Sequence, residues 1–136
     1  MRKLIKGDTG PEPKGTGELV FVVDDEPLLL ELAEAILATL GCKVRTFSSP
    51  EAALQAYRES DPPPAVVVTD FSMNRMSGQD LLTACRTRCP NQKVLMVSGT
   101  VEAEAFGKTD IHPTAFLAKP YQAVELLAAV RALLPR

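Results

Sequence analysis

The sequence predicts an α/β domain: a five-stranded parallel sheet in the order 2-1-3-4-5, with helices on both faces. Three observations carry this reading. Short continuous apolar runs alternate five times with stretches whose apolar residues recur every three or four positions, the pattern of buried parallel strands joined by amphipathic helices. Gly41, Ser49-Pro50, Asp61-Pro62-Pro63-Pro64 and Pro90 punctuate them with turn and cap signals. Four of the runs also stop at reactive polar residues: Phe21-Val22-Val23 at Asp24 and Asp25, Val66-Val67-Val68-Thr69 at Asp70, Val94-Leu95-Met96-Val97 at Ser98, and Phe116-Leu117-Ala118 at Lys119.

The first strand is expected from Leu19 to Asp24. Pro27 suits the first turn of a helix whose apolar positions are Leu29, Leu32, Ala33, Ile36, Leu37 and Leu40, with Gly41 as its C-cap. Lys43 to Phe47 forms the second strand, and Ser49-Pro50-Glu51 opens a helix to about Glu59. The proline run at 62–64 forbids helix and sets up the third strand, Ala65 to Thr69. A third helix runs from about Gly78 to Thr87, followed by a strand from Lys93 to Val97 and a short helix around Val101 to Phe106. A strand from Ala115 to Ala118 and a helix from about Tyr121 to Leu133 complete the set, with Pro120 a good helix starter. Right-handed crossovers and short connections favour the flavodoxin-like (βα)5 arrangement, in which strands one and three are neighbours.

At 136 residues the chain is one domain, able to bury roughly two-thirds of its unfolded surface without disulfides or metal. Apolar content of 46% with 24% charge fits a globular protein, and a net charge of -2 supplies no electrostatic reason to bind nucleic acid directly. No apolar run approaches the roughly 20 residues of a membrane helix, and Met1 to Gly7 lacks the apolar core of a signal peptide, so the expected location is the cytoplasm. Residues 1–18, rich in glycine, proline and charge, are expected to be a flexible leader or linker, and 19–134 the folded domain. Gly15-Thr16-Gly17 precedes the first strand and lacks a following Gly-Lys-Ser/Thr, which makes it linker rather than phosphate loop. Cys42, Cys85, Cys89 and the lone His112 are poor material for a disulfide framework or a zinc site. Cys85 and Cys89, four apart, leave a redox pair open, beside the reading of all three as free thiols.

Parallel strands would bring the polar ends into one crevice, where open α/β sheets bind ligands. Two or three carboxylates within a few ångströms repel one another, and a divalent cation relieves them. Oxygen ligands point to Mg²⁺ or Mn²⁺. Such an ion usually shares its shell with phosphate oxygens. Lys119 then offers a point charge for a phosphoryl group and Ser98 a hydrogen-bond donor, while Asp70 has the chemistry of a nucleophile that becomes an aspartyl phosphate. Taken singly, Asp24 or Asp25 is equally a helix cap, Ser98 a turn residue and Phe116 a core aromatic.

The stretches Val22-Val23-Asp24-Asp25-Glu26-Pro27, Asp70-Phe71-Ser72-Met73 with Met76-Ser77-Gly78, Val97-Ser98-Gly99 and Phe116-Leu117-Ala118-Lys119-Pro120 resemble the receiver domain of two-component response regulators, over Glu18 to Leu133. The intervals of 45 residues from Asp25 to Asp70, 28 to Ser98 and 21 to Lys119 match that family's spacing. The resemblance implies that Asp70 accepts a phosphoryl group from the phosphohistidine of a sensor histidine kinase or histidine phosphotransfer protein. It further implies metal ligation by Asp24, Asp25, Asp70 and the Ser72 backbone carbonyl, phosphate binding by Lys119 and Ser98, and a switch made of Ser98 and Phe116. The partner-facing surface of the fourth helix, fifth strand and fifth helix would change with that switch, to meet a downstream protein or form a phosphorylation-dependent dimer. The family often places proline where Asn74 stands here, before Arg75; these two and Thr100 are expected to tune the site. On this reading the chain is no enzyme but a phosphoacceptor that assists its own phosphorylation and dephosphorylation, free-standing or the receiver of a hybrid sensor kinase. The alternatives are a small Mg²⁺-dependent aspartyl-phosphate phosphohydrolase, in which Ser72 stands where the second catalytic acid is usual, and an unphosphorylated pseudo-receiver scaffold.

Overall fold

Valine-rich runs become strands here because β-branched side chains pack well on a sheet covered on both faces. The computed structural model describes residues 17–73, 75–99 and 110–135. In chain order its elements are β1 (Leu19–Val23), α1 (Pro27–Ala38), β2 (Lys43–Phe47), α2 (Pro50–Glu59), β3 (Val66–Asp70), α3 (Gly78–Arg88), β4 (Lys93–Ser98), β5 (Ala115–Ala118) and α4 (Ala123–Leu133). All strand pairs are parallel and the order is β2-β1-β3-β4-β5, as expected. The helix expected at 101–106, the leader to residue 16, Asn74 and Thr100 lie outside the described residues.

The period of two along each strand divides the core into two layers. Val20 and Val22 of β1, Val66 and Val68 of β3, and Leu95 and Val97 of β4 face α1 and α4, where they meet Leu30, Ala33, Leu37, Leu126 and Val130. Phe21, Val23, Val67, Val94 and Met96 face the other way, against α2 and α3, with Ala53, Leu54, Tyr57, Leu81, Leu82 and Cys85. Leu37, Leu95 and Leu126 are fully buried. Each contributes about 1.5–3 kcal/mol by leaving water, so this layer anchors α1 and α4 to the sheet.

Several boundaries and faces differ from the sequence reading. Leu28-Leu29-Leu30 fits two helical phases, and packing selects Leu30 for the core while Leu32 is 51% exposed. Helix α1 stops at Ala38 with Thr39 as C-cap, whose hydroxyl donates to the Ile36 carbonyl at 2.6 Å. Gly41 comes two residues later, where φ is +80° and a residue without Cβ fits the left-handed turn into β2. Strand β1 stops at Val23, and the third and fourth strands each run one residue further than expected, to include Asp70 and Ser98. Pro120, joined to Lys119 by a cis bond, does not start the last helix, which begins at Ala123. The N–H of Gln122 is instead taken by the Glu125 carboxylate at 2.6 Å, which sets that start. The three cysteines are free, Cys85 buried and Cys42 and Cys89 half-buried. Burial pushes the Cys85 thiol up to about 12, the signature of an unreactive core sulfur.

The end of the sheet away from the polar strand ends is tied by a buried polar network. The Tyr57 hydroxyl donates to Gln92 Oε1 at 2.7 Å, and Gln92 Nε2 donates to the carbonyls of Pro64 and Lys93, each at 3.0 Å. The Arg88 guanidinium lies over the Tyr57 ring, 5.5 Å from its centroid, and donates to the carbonyls of Tyr57 and Ser60 at the end of α2. Removing one partner strands the others, so Tyr57→Phe is expected to cost about 1–3 kcal/mol in urea denaturation, with an unchanged m-value.

Candidate functional site

Register assembles the site. Val23 pairs with Thr69 across β1 and β3, so Asp24 and Asp70, each one step further along, emerge side by side. Asp70 itself pairs with Val97, and Ser98 pairs with Ala118, the residue before Lys119. The Lys119 N–H extends this ladder by donating to the Ser98 carbonyl at 3.0 Å. Four strand ends therefore bring Asp24, Asp25, Asp70, Ser98 and Lys119 to one edge of the fold.

Carboxylate oxygens of Asp24, Asp25 and Asp70 all lie within 4.8 Å of one another. Asp24 and Asp70 are buried, at 7% and 6% exposure, and Asp25 is more open. Lys119 Nζ stands 3.0 Å from Asp70 Oδ2 and 3.9 Å from Asp24 Oδ2. Asp24 also has the capping role open to it from sequence: its Oδ1 accepts the Glu26 N–H at 2.9 Å, fixing the chain entry into α1, whose cap residue Glu26 provides no side-chain bond of its own. The two roles are compatible because a carboxylate has two oxygens.

The electrostatics are those of excess negative charge held out of water. Burial raises the Asp70 pKa above its ordinary value; the hydrogen bond and charge of Lys119 and the N–H of Ser72 pull it back without offsetting burial, and Asp25 adds to the rise. Asp24 is raised for the same first reason, opposed by the Glu26 N–H and Lys119. Burial on its own would lower Lys119, but the hydrogen bond to Asp70 and the charges of Asp70, Asp24 and Glu26 outweigh it and hold the ammonium protonated. One ammonium facing three carboxylates is incomplete compensation. The donor set, all oxygen with two of the three acids buried, fits a hard divalent cation.

The remaining expected residues divide. Ser98, at 2% exposure, is enclosed beside Asp70. Ser72 follows Asp70 on the β3–α3 loop and meets it through its N–H. Phe116 is 44% exposed on the edge strand β5, which corrects the reading of it as a core aromatic. Arg75, with φ at +72°, lies in a recess that also includes Asp25.

A family model described as "Response regulator receiver domain" matches residues 20–131. The chain belongs to the response regulator receiver family. Among curated proteins, this receiver domain is 32% identical over 118 residues to the transcriptional regulatory protein KdpE of Mycobacterium tuberculosis, an alignment covering 87% of the chain and 51% of KdpE. It is also 32% identical over 123 residues to the transcriptional regulatory protein FixJ of Azorhizobium caulinodans, covering 86% of the chain and 55% of FixJ. The receiver domain thus spans about half the length of these relatives. Among solved structures, a response regulator receiver domain protein from Clostridium thermocellum superposes with a TM-score of 0.77 at 28% identity, over 85% of the chain and 93% of that protein. The Vibrio cholerae chemotaxis protein CheY4 superposes with a TM-score of 0.77 at 24% identity, over 87% of the chain and 99% of that protein, which shows the shared fold.

Two contributors were missed by the sequence reading. Gly78 is buried beneath the site, and a Cβ there would press into the Asp70 carbonyl oxygen, 2.8 Å from Met96 Sδ and 2.9 Å from Phe71 Cα. The sequence shows it only as one residue of a Met-Ser-Gly run. Tyr121 lines, with Glu26, Leu29, Leu32, Lys119 and Pro120, a recess of about 400 Å³ beside the lysine. Burial, then the nearby Asp24 charge, raises its phenol above the ordinary value. Its position two residues after Lys119 was the available signal.

Two outcomes are expected. Gly78→Ala should destabilise the domain by about 1–3 kcal/mol, read as a lower urea midpoint, because the methyl group meets backbone it cannot displace cheaply. The second concerns pH. Asp24 and Asp70 have folded-state pKa values raised above 3.8, so each contributes stability that is full below that value and lost as pH rises through the raised one. In EDTA, Asp70→Asn should therefore gain stability relative to wild type between about pH 4 and 7, checked by paired thermal melts; a constant or shrinking difference would contradict the raised Asp70.

Proposed function

We propose that this receiver domain takes a phosphoryl group from the phosphohistidine of a sensor histidine kinase or histidine phosphotransfer protein onto Asp70, and that the aspartyl phosphate switches a surface read by a downstream protein. The observation that carries this is the Asp70 carboxylate itself: buried, 3.0 Å from the Lys119 ammonium, and within 4.8 Å of two further carboxylates. In the transfer an Asp70 oxygen bonds to phosphorus as the phosphorus–nitrogen bond breaks, and the electron pair returns to the imidazole. Little covalent machinery is needed; positioning and charge neutralisation do most of the work.

Lys119 neutralises a phosphoryl oxygen from one side, and Ser98 donates its hydroxyl to another. Asp24, Asp25, Asp70 and the Ser72 backbone carbonyl would hold Mg²⁺ or Mn²⁺, which when bound supplies the positive charge that Lys119 alone does not. The phosphoryl group brings new negative charge and acceptor oxygens that bias a two-state equilibrium toward the arrangement in which Ser98 and Lys119 meet them. Phe116 would follow that movement with its ring, a reading supported by its half-exposed position on the edge strand, in register with Met96 on the strand of Ser98. The proposed functional unit is residues 19–134, working in the cytoplasm, with direct DNA contact left to a partner or to sequence beyond this domain.

Incubation with acetyl phosphate and Mg²⁺ is expected to add the mass of one phosphoryl group to wild type and none to Asp70→Ala. Repeated turnover of an unrelated phosphate ester would point to a hydrolase, and a wild type that never gains mass while a control receiver does would point to a scaffold. Lys119→Ala should keep the folded circular-dichroism spectrum yet lose signalling; a collapsed spectrum would make Lys119 a folding residue instead.

A further inference from the structure

On the Asp25 side of the acidic site a second recess, about 280 Å³, is lined by Asp25, Ser48, Ser49, Pro50, Glu51 and Arg75. Among its described lining residues Arg75 is the only cation. The residue is exposed, and its backbone φ of +72° makes it the one described non-glycine residue in the left-handed region. Glycine takes that conformation without steric cost, whereas an arginine there is strained. Although Arg75 shares the recess with the carboxylates of Asp25 and Glu51, its guanidinium makes no ion pair or hydrogen bond with the described residues.

The charge balance of the site gives that arginine a task. Lys119 and a divalent cation together balance Asp24, Asp25 and Asp70, so a dianionic phosphoryl group arriving at the mouth meets no further countercharge from them. Among the described residues lining the two recesses that border the site, the cations are Lys119 and Arg75, one in each. A guanidinium presents a planar fork of donors suited to two oxygens of one phosphoryl group.

We propose that Arg75 is a donor-binding residue, holding the oxygens of the incoming phosphorylated group at the Asp25 side of the site before transfer to Asp70. This rests on the phosphoacceptor reading above and adds to it a residue that acts on the loading step alone. With acetyl phosphate as the probe, an Asp70 oxygen bonds to phosphorus, the bond from phosphorus to the acyl oxygen breaks, and acetate leaves with the electron pair. Once the donor has left, Arg75 has no part in hydrolysis of the adduct.

The test follows adduct formation by intact mass at sub-saturating acetyl phosphate with Mg²⁺, then adduct decay after donor removal, in wild type, Arg75→Gly and Arg75→Lys. Glycine removes the charge and relieves the backbone, so Arg75→Gly should melt no lower than wild type yet load about tenfold more slowly, the scale of a lost hydrogen bond to a charged group. Arg75→Lys should recover part of the rate, and decay should be the same in all three. Equal loading in wild type and Arg75→Gly would overturn the assignment while leaving Asp70 as acceptor, as would loading and decay that slow together. Absence of any adduct on wild type would overturn the acceptor reading and Arg75 with it.

Discussion

Parallel register places Asp24 and Asp70 on neighbouring strand ends, with Asp25 beside them, and the protein must hold these like charges together partly out of water. The arrangement follows from pairing Val23 with Thr69: no side chain has to be recruited from afar, and none can move away without breaking the central ladder of the sheet. The sheet is buried on both faces, so its ends cannot relax by tilting a strand. Repulsion is instead met locally, by Lys119 from β5 and by N–H groups of Glu26 and Ser72. Compensation stops short: burial first, and the neighbouring carboxylates after it, keep Asp24 and Asp70 above the ordinary carboxylate value despite Lys119 and these N–H groups.

That shortfall is a cost in stability and a capacity for binding. A site with complete internal compensation would gain little from a cation, whereas one left negative and partly dehydrated gains from it. Gly78 belongs to the same logic from below. By lacking a Cβ it lets α3 begin directly against the Asp70 backbone, and its N–H donates to the Phe71 carbonyl at 2.8 Å, so the loop after Asp70 is packed on the start of α3. One backbone hydrogen bond, from the Lys119 N–H to the Ser98 carbonyl, ties the end of β4 to the residue that follows β5.

The strand order and the meeting of Asp24, Asp25, Asp70 and Lys119 were legible because they follow from period, Val content and strand-end chemistry, all local signals that the topology rules then multiply. The family motifs added roles that periodicity could not. What escaped was set by packing between elements. Three consecutive leucines at 28–30 leave the phase of α1 open until α4 chooses Leu30, and Pro120 reads as a helix start until the Glu125 carboxylate caps the chain two residues later. Taken singly Phe116 would be core on burial statistics, yet β5 is the sheet edge, and alternation turns its ring outward. Tyr121 and Gly78 have no chemistry of their own to advertise; their importance is distance to the site.

Three carboxylates with one ammonium form a site short of positive charge. Thermal melting of the phosphate-free protein across a Mg²⁺ titration reads that deficit. The midpoint is expected to climb with Mg²⁺, by about 2.7 kcal/mol of stability at one hundred times the dissociation constant, and the rise to disappear in Asp25→Asn. A wild-type midpoint indifferent to Mg²⁺, or an equal rise in Asp25→Asn, would contradict it.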